Sequence, residues 1–185
     1  YREGIVVVPV HAPSVIEQLM APFGIEVVRT RADVRSLTAT AMEQAEKLLL
    51  AGDLQGGFIF PEFHPGFDAM FAYVKLLEMA QQAGCSLAEI YDEIPPFVLL
   101  HRSLPCPWEQ KGHLMRYVAQ SVKGRVETLD GLKVYADHGW TLILPDAAEP
   151  LIHLYTEAPT EADAQHLLDQ YTALITSALA REAGM

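Results

Sequence analysis

Ile5-Val6-Val7-Val8-Pro9-Val10 is an unbroken apolar and largely β-branched run, and its reading decides the fold. Strict alternation would mark a strand with one wet face. Continuity marks a strand covered on both faces, as at the centre of a parallel sheet. After His11, Ala12 and Pro13, apolar residues recur at helical spacing as Val15, Ile16, Leu19, Met20 and Phe23, and Gly24 supplies a stop. Ile25 to Val28 reads as a second strand. Leu37, Ala41, Ala45, Leu48 and Leu49 stripe a second helix, Gly57 to Phe60 gives a third strand, and Phe67, Met70, Phe71, Val74 and Leu77 stripe a third helix. The alternation predicts an α/β, three-layer domain with a mainly parallel or mixed sheet and helices on its faces.

The pattern breaks at Pro95 and Pro96, and again across Pro105, Cys106 and Pro107. A boundary is expected there, giving domains 1–95 and 96–185. Beyond it, Leu114, Tyr117, Val118 and Ser121 suggest a helix. Arg125 to Leu129 and Leu132 to Tyr135 read as strands joined by Asp130-Gly131, a turn pair suited to positive φ. Trp140 to Leu144 and Leu151 to Tyr155 follow as strands. Thr160, with Asp163 three residues on, then caps a helix carrying Leu167, Leu168, Tyr171, Leu174 and Ile175. The second domain is expected to be small and α+β, an antiparallel sheet with helices packed on it.

Composition narrows the partners. Thirteen Lys and Arg against 24 Asp and Glu leave a formal charge of −11, a field that repels nucleic acid phosphates. No apolar run approaches the roughly 20 residues of a membrane helix, so no membrane is expected as a partner. The chain opens on Tyr1 with no leader-like segment, and its 2 cysteines, Cys85 and Cys106, offer no disulfide framework. A reducing, cytoplasmic setting is the expectation.

Ligands of open parallel sheets settle outside the carboxyl ends of the strands. There the loop after the second strand gathers Arg29, Arg31 and Arg35, either an anion contact or ion pairs with nearby carboxylates. Gly52-Asp53-Leu54-Gln55-Gly56-Gly57 sets one carboxylate and one amide among glycines, which suits a sugar or an ordinary turn. The 7 histidines show no HxH or HExxH spacing, there is no DxDxD run, and His153 falls in an alternating strand as a solvent-facing or satisfied residue. No metal or cofactor is expected in this chain. No GxSxG is present and neither cysteine sits in an activating motif, so no catalytic residue is assigned.

Taken together the residues resemble the C-terminal half of the phosphohexomutase family. Gly52-Asp53-Leu54-Gln55-Gly56-Gly57-Phe58-Ile59-Phe60 with Phe67-Asp68-Ala69-Met70 looks like the family's G-E-x-S-G sugar loop, its strand and the D-G-I helix opening. Asp130-Gly131-Leu132-Lys133-Val134, Gly139-Trp140 and Glu149-Pro150 look like the D-G-[VL]-[KR] hairpin, the next strand and the close of the phosphate loop. The resemblance implies the third domain of a four-domain enzyme, short of its first few residues, and the fourth. It also implies reversible phosphoryl transfer between C1 and C6 of glucose or mannose phosphates. Gly52, Asp53, Gln55 and Gly56 would contact sugar, and Arg31 and Arg35 would supply a basic contact. The phosphoserine and the magnesium loop would lie in preceding domains of the same protein, leaving this chain inactive alone.

Where the family reads R-x-S-[GN]-T-E-P, this sequence reads Leu144-Pro145-Asp146-Ala147-Ala148-Glu149-Pro150. Arginine, serine and threonine are absent, and a phosphate facing Asp146 and Glu149 would be repelled by about 1 kcal/mol or more even in water-like dielectric. A conventional clamp is not expected at Leu144, Asp146, Ala147, Ala148 and Glu149. Gly56-Gly57-Phe58-Ile59-Phe60-Pro61-Glu62-Phe63 and Cys106-Pro107-Trp108-Glu109-Gln110-Lys111-Gly112 most resemble the mutase-like region fused behind bacterial sugar-phosphate nucleotidyltransferases. That resemblance implies a second function, a non-catalytic module that regulates or scaffolds a fused nucleotidyltransferase.

Overall fold

A computed structural model describes residues 3–183. Two compact units divide the chain, Tyr1–Pro95 and Pro96–Met185.

In the first unit, β1 (Ile5–Pro9) pairs in parallel with β2 (Glu26–Thr30) on one side and β3 (Leu48–Gly52) on the other. The short β4 (Phe58–Ile59) closes the order β2-β1-β3-β4 antiparallel to β3. Successive side chains of β1 point to opposite faces. Ile5 and Val7 join Leu37 and Ala41 of α2 (Val34–Glu43), whereas Val6 and Val8 meet Ile16 and Met20 of α1 (Val15–Met20). Each face of the strand therefore has its own helix, which is why the run has no polar position. Burying each such side chain stabilises the unit by about 1.5–3 kcal/mol.

Two expectations fail here. Leu48 and Leu49 belong to β3 and not to the second helix, which ends at Glu43. Four apolar residues in a row fit either period, and the turn at 44–47 settles the strand. The third strand in sequence is thus Leu48–Gly52, and the run from Gly57 contributes only the two-residue β4.

The expected third helix forms as α3 (Ala69–Ala83), because the Asp68 carboxylate accepts the N–H of Phe71 and Gly84 ends it in the left-handed conformation. Its apolar stripe is real, yet none of its residues is buried and Met70 is 77% exposed. Periodicity shows which face of a helix is apolar, not that something covers it. A Ser86–Glu89 capping box starts the short α4 (Leu87–Asp92).

The second unit carries a strand the sequence reading did not find, β5 (Val98–Pro105). It is the edge of an antiparallel sheet ordered β5-β9-β8-β7-β6. The other strands of that sheet are β6 (Val126–Glu127), β7 (Leu132–Ala136), β8 (Gly139–Pro145) and β9 (Leu151–Ala158), the last of which pairs with β5. The Asp130-Gly131 turn forms with Gly131 at φ +65, where a Cβ would stand 2.3 Å from the Ile143 carbonyl oxygen. Only glycine fits.

One face of this sheet is the core. Ile143, Ile152 and Leu154 pack with Leu114 and Val118 of α5 (Trp108–Ser121) and with Leu168, Tyr171 and Ile175 of α6 (Glu161–Ala183). Thr160 and Asp163 bond at the start of α6 as the capping reading expected. The architecture is α/β with a mixed sheet, followed by an α+β antiparallel sheet.

Candidate functional site

In the first unit the parallel strands end on one edge, so the segments after β1, β2 and β3 converge. A cleft there is lined by Pro9, His11, Ala32, Asp33, Asp53 and Gln55 among others. Its volume is ≈ 40 Å³, far below the roughly 300–1,000 Å³ of pockets that enclose small molecules. A sugar would lie on this rim rather than inside it.

One oxygen of the Asp53 carboxylate is committed to its own loop. Its Oδ1 accepts the N–H groups of Gln55 at 2.8 Å and Gly57 at 2.7 Å, which folds Gly52, Gln55 and Gly56 into a closed turn. Gln55 and Gly56 are exposed at its tip, while Gly52 is buried.

The three arginines separate into two kinds. Arg29 is committed, with Nε and Nη2 to both oxygens of Glu17 at 2.8 and 2.6 Å and further bonds to the carbonyls of Pro9, Ala12 and Pro13. It staples α1 to the ends of β1 and β2. Arg31 and Arg35 are exposed, and their guanidinium groups make no hydrogen bond or ion pair among the described residues. They flank Ala32 and Asp33 on the cleft wall, and Asp33 caps α2 by accepting the N–H of Ser36 at 2.7 Å. The Ser36 hydroxyl and backbone bonds hold the Asp33 carboxyl below its usual range.

In the second unit, Leu144 is buried at the end of β8 and the turn begins at Asp146. The Asp146 Oδ1 accepts the N–H groups of Ala148 and Glu149, both at 2.6 Å. Backbone amides that could grip an external anion thus hold the turn's own carboxylate. Beneath it, Lys111 Nζ donates to the carbonyls of Asp146 and Glu149 and lies 3.8 Å from the Trp108 ring centroid. That cation sits only 9% exposed and is turned into the backbone, away from any ligand. Ala147, Ala148 and Glu149 are exposed.

The other oxygen of Asp146 reaches into a cluster that motif reading missed. Register pairs His101 with Tyr155 and Ser103 with His153, all on the sheet face opposite the helices. Arg102, between them, points the other way and bonds Asp169 and Thr172 of α6. Asp146 Oδ2 lies 2.9 Å from His153 Nε2, and His153 Nδ1 lies 3.1 Å from His101 Nε2 and 3.0 Å from Ser103 Oγ. His101 stacks on Tyr155 at 4.4 Å.

The His153 bond, then the amides of Ala148 and Glu149, lower the Asp146 carboxyl to about 2. An ionised carboxylate only accepts, so His153 Nε2 carries the proton and, in the neutral ring, Nδ1 turns its lone pair towards His101 and Ser103. Burial, then the neighbouring His153, lowers the pKa of His101. Among the described residues no three His, Cys, Asp or Glu side chains converge as a metal-ligand set. These residues do not fit the oxygen-rich, carboxylate-based site that magnesium takes.

A family model described as phosphoglucomutase/phosphomannomutase, alpha/beta/alpha domain III matches residues 1–97. A phosphoglucosamine mutase of Methanococcus vannielii is 31% identical over 178 residues, covering 94% of this chain and 40% of that protein. One of Methanocaldococcus jannaschii is 29% identical over 178 residues, covering 94% and 39%. The chain therefore spans about two fifths of these relatives.

Among solved structures, a phosphoglucomutase/phosphomannomutase family protein of Burkholderia thailandensis superposes with a TM-score of 0.80 at 20% identity, over 95% of this chain and 38% of that one. An Aspergillus fumigatus N-acetylphosphoglucosamine mutase in complex with GlcNAc-6P and magnesium gives a TM-score of 0.65 at 13% identity, over 95% and 39%. These two show the shared fold.

Proposed function

Because this chain belongs to the phosphoglucomutase/phosphomannomutase family, we propose that it is the C-terminal, sugar-contacting part of a longer protein that moves a phosphoryl group between C1 and C6 of a hexose phosphate. The observation that carries this reading is the convergence of the Asp53–Gln55 turn with Ala32 and Asp33 at one edge of the parallel sheet. Gln55 offers an exposed amide for sugar hydroxyls, and Arg31 and Arg35 offer guanidinium forks for a phosphate. Relatives described as phosphoglucosamine mutases, and a neighbour solved with GlcNAc-6P, support a hexose phosphate as the ligand class.

The turn from Asp146 to Glu149 takes no part in gripping phosphate, since its amides already hold a carboxylate. The group that carries the phosphoryl and the magnesium ligands belong to the preceding domains the resemblance implies. The test uses the longest natural protein containing this chain, with magnesium and a hexose 1,6-bisphosphate. Glucosamine, glucose and mannose 6-phosphates are offered in turn and followed by ³¹P NMR. Interconversion of at least one with its 1-phosphate is expected; inertness towards all three would end this reading.

A second reading is favoured by one parallel. Asp53 and Asp146 each close on amides of their own loops, so both candidate ligand loops are self-satisfied. On this reading the fold persists as a module that regulates or scaffolds an attached nucleotidyltransferase. Its removal would change oligomeric state or allosteric response and leave nucleotidyl transfer in place. Identical behaviour with and without the region would count against it.

A further inference from the structure

We propose that His101, His153 and Ser103 form a binding site for a divalent transition-metal cation of the zinc class, on the sheet face of the second unit opposite its helices. Three donor atoms converge: His101 Nε2, His153 Nδ1 and Ser103 Oγ stand 3.1, 3.0 and 3.5 Å from one another. Ligands about 2.0–2.1 Å from a tetrahedral zinc are separated by about 3.3 Å, so the triangle has the size of one coordination face. Its fourth position is left to water or to a ligand atom.

The surroundings match what a metal-bound imidazole requires. Asp146 accepts from Nε2 of His153 and thereby turns the lone pair of Nδ1 into the triangle. A carboxylate on the remote nitrogen fixes tautomer and ring orientation and raises ligand basicity. Asp146 is itself held by two backbone amides, and His101 is held flat against Tyr155. Both imidazoles are thus oriented before any cation arrives.

Binding requires His101 to carry its single proton on Nδ1, so that the Nε2 lone pair is free. In the neutral ring that is a change of tautomer without net proton release. Imidazole nitrogen selects zinc, nickel and copper over magnesium or calcium, which prefer oxygen ligands. The site therefore differs in chemistry from any magnesium centre the preceding domains would hold. Motif spacing could not reveal it, because the two histidines are 52 residues apart and meet only across the β5–β9 pair.

The test titrates the full chain with Zn²⁺ by calorimetry in the presence of excess Mg²⁺, and with Co²⁺ to read coordination from its visible spectrum. Saturable binding of one ion and a four-coordinate Co²⁺ spectrum are expected. His101→Ala and His153→Ala should each weaken binding at least about tenfold, and Asp146→Asn by roughly 10–100-fold, the usual loss on removing an outer-shell partner. His138→Ala serves as the control and should leave the affinity unchanged.

Ser103→Cys replaces the weak third donor with a thiolate, and it should tighten binding and add a sulfur-to-Co²⁺ charge-transfer band. Circular dichroism verifies that each variant is folded. Absence of saturable binding, binding that survives both histidine substitutions in folded protein, or a cysteine variant without the charge-transfer band would each overturn the proposal.

Discussion

The ammonium of Lys111 lies 2.6 Å from the backbone carbonyl oxygen of Asp146, and it also donates to the carbonyl of Glu149. A largely buried cation from the start of α5 is thereby fastened to the turn between β8 and β9 without using any carboxylate on that turn. The consequence is a turn held from two sides. Lys111 takes the carbonyls of Asp146 and Glu149 and the Asp146 side chain takes the amides of Ala148 and Glu149, so these four groups need no external ligand.

Lys111→Met keeps the stem that packs along α5 and removes the three N–H donors. The Asp146 and Glu149 carbonyls then each lose a donor, Glu149 keeping the N–H of Leu151, and stability is expected to fall by about 1–3 kcal/mol. Urea unfolding measures the loss, and hydrogen exchange at Ala148 and Glu149 should quicken beyond the global change. Equal stability of variant and parent would mean that water replaces the ammonium at no cost.

The Asp146 carboxyl supplies a pH dependence whose sign is fixed. Its pKa falls from 3.8 to about 2 on folding, chiefly through His153 and then the turn amides. A group depressed on folding contributes its full stabilisation above the unfolded pKa and loses it as pH falls through the folded one. Stability should therefore decline between about pH 4 and pH 2 with a component that Asp146→Asn removes. The asparagine also sets an N–H group against the protonated Nε2 of His153, so this variant should be less stable than the parent at neutral pH. Matched denaturation curves from pH 6 to pH 2 decide it; parallel profiles for the two proteins would exclude Asp146 as their source.

Thr141 is buried on the core side of β8, and its Oγ1 has no hydrogen-bond partner. A buried hydroxyl that loses water without gaining a partner costs roughly 1–3 kcal/mol. Thr141→Val has nearly the same shape and is expected to raise stability by about 1 kcal/mol, read as a higher urea midpoint at unchanged slope. A destabilised valine variant would mean that the hydroxyl is hydrogen-bonded in solution.

Much of this architecture was legible because apolar pattern reports burial directly. The Ile5–Val10 run announced a strand covered on both faces, and Ile5 and Val6 do go to opposite helices. Asp130-Gly131 announced its turn because only certain residues tolerate the required φ. Leu48 and Leu49 misled because a short apolar run carries no period, and α3 misled because most of its stripe stays exposed although Phe71 packs against Phe60 and Phe63. The His101–His153–Ser103 cluster was illegible for a different reason. It depends on the register of β5 against β9, and β5 was hidden among prolines. Candidate arginines were visible as a group, but sequence could not tell Arg29, spent on Glu17, from Arg31 and Arg35.

That distinction gives the sharpest test of the proposed ligand class. Arg31 and Arg35 carry guanidinium groups with no partner among the described residues, on either side of the Ala32–Asp33 wall that the Asp53 turn faces. A phosphate held there gains charge-assisted bonds worth about 1.5–3 kcal/mol each. Because such a contact is made equally in ground and transition states, Arg31→Ala or Arg35→Ala in the longer protein should raise KM for the hexose phosphate roughly tenfold or more and leave kcat nearly unchanged. Arg29→Ala should instead lower thermal stability, since it frees Glu17 and removes one donor from each of three carbonyls, those of Pro9, Ala12 and Pro13. If neither Arg31 nor Arg35 shifts KM while turnover persists, the phosphate is held by groups outside this chain.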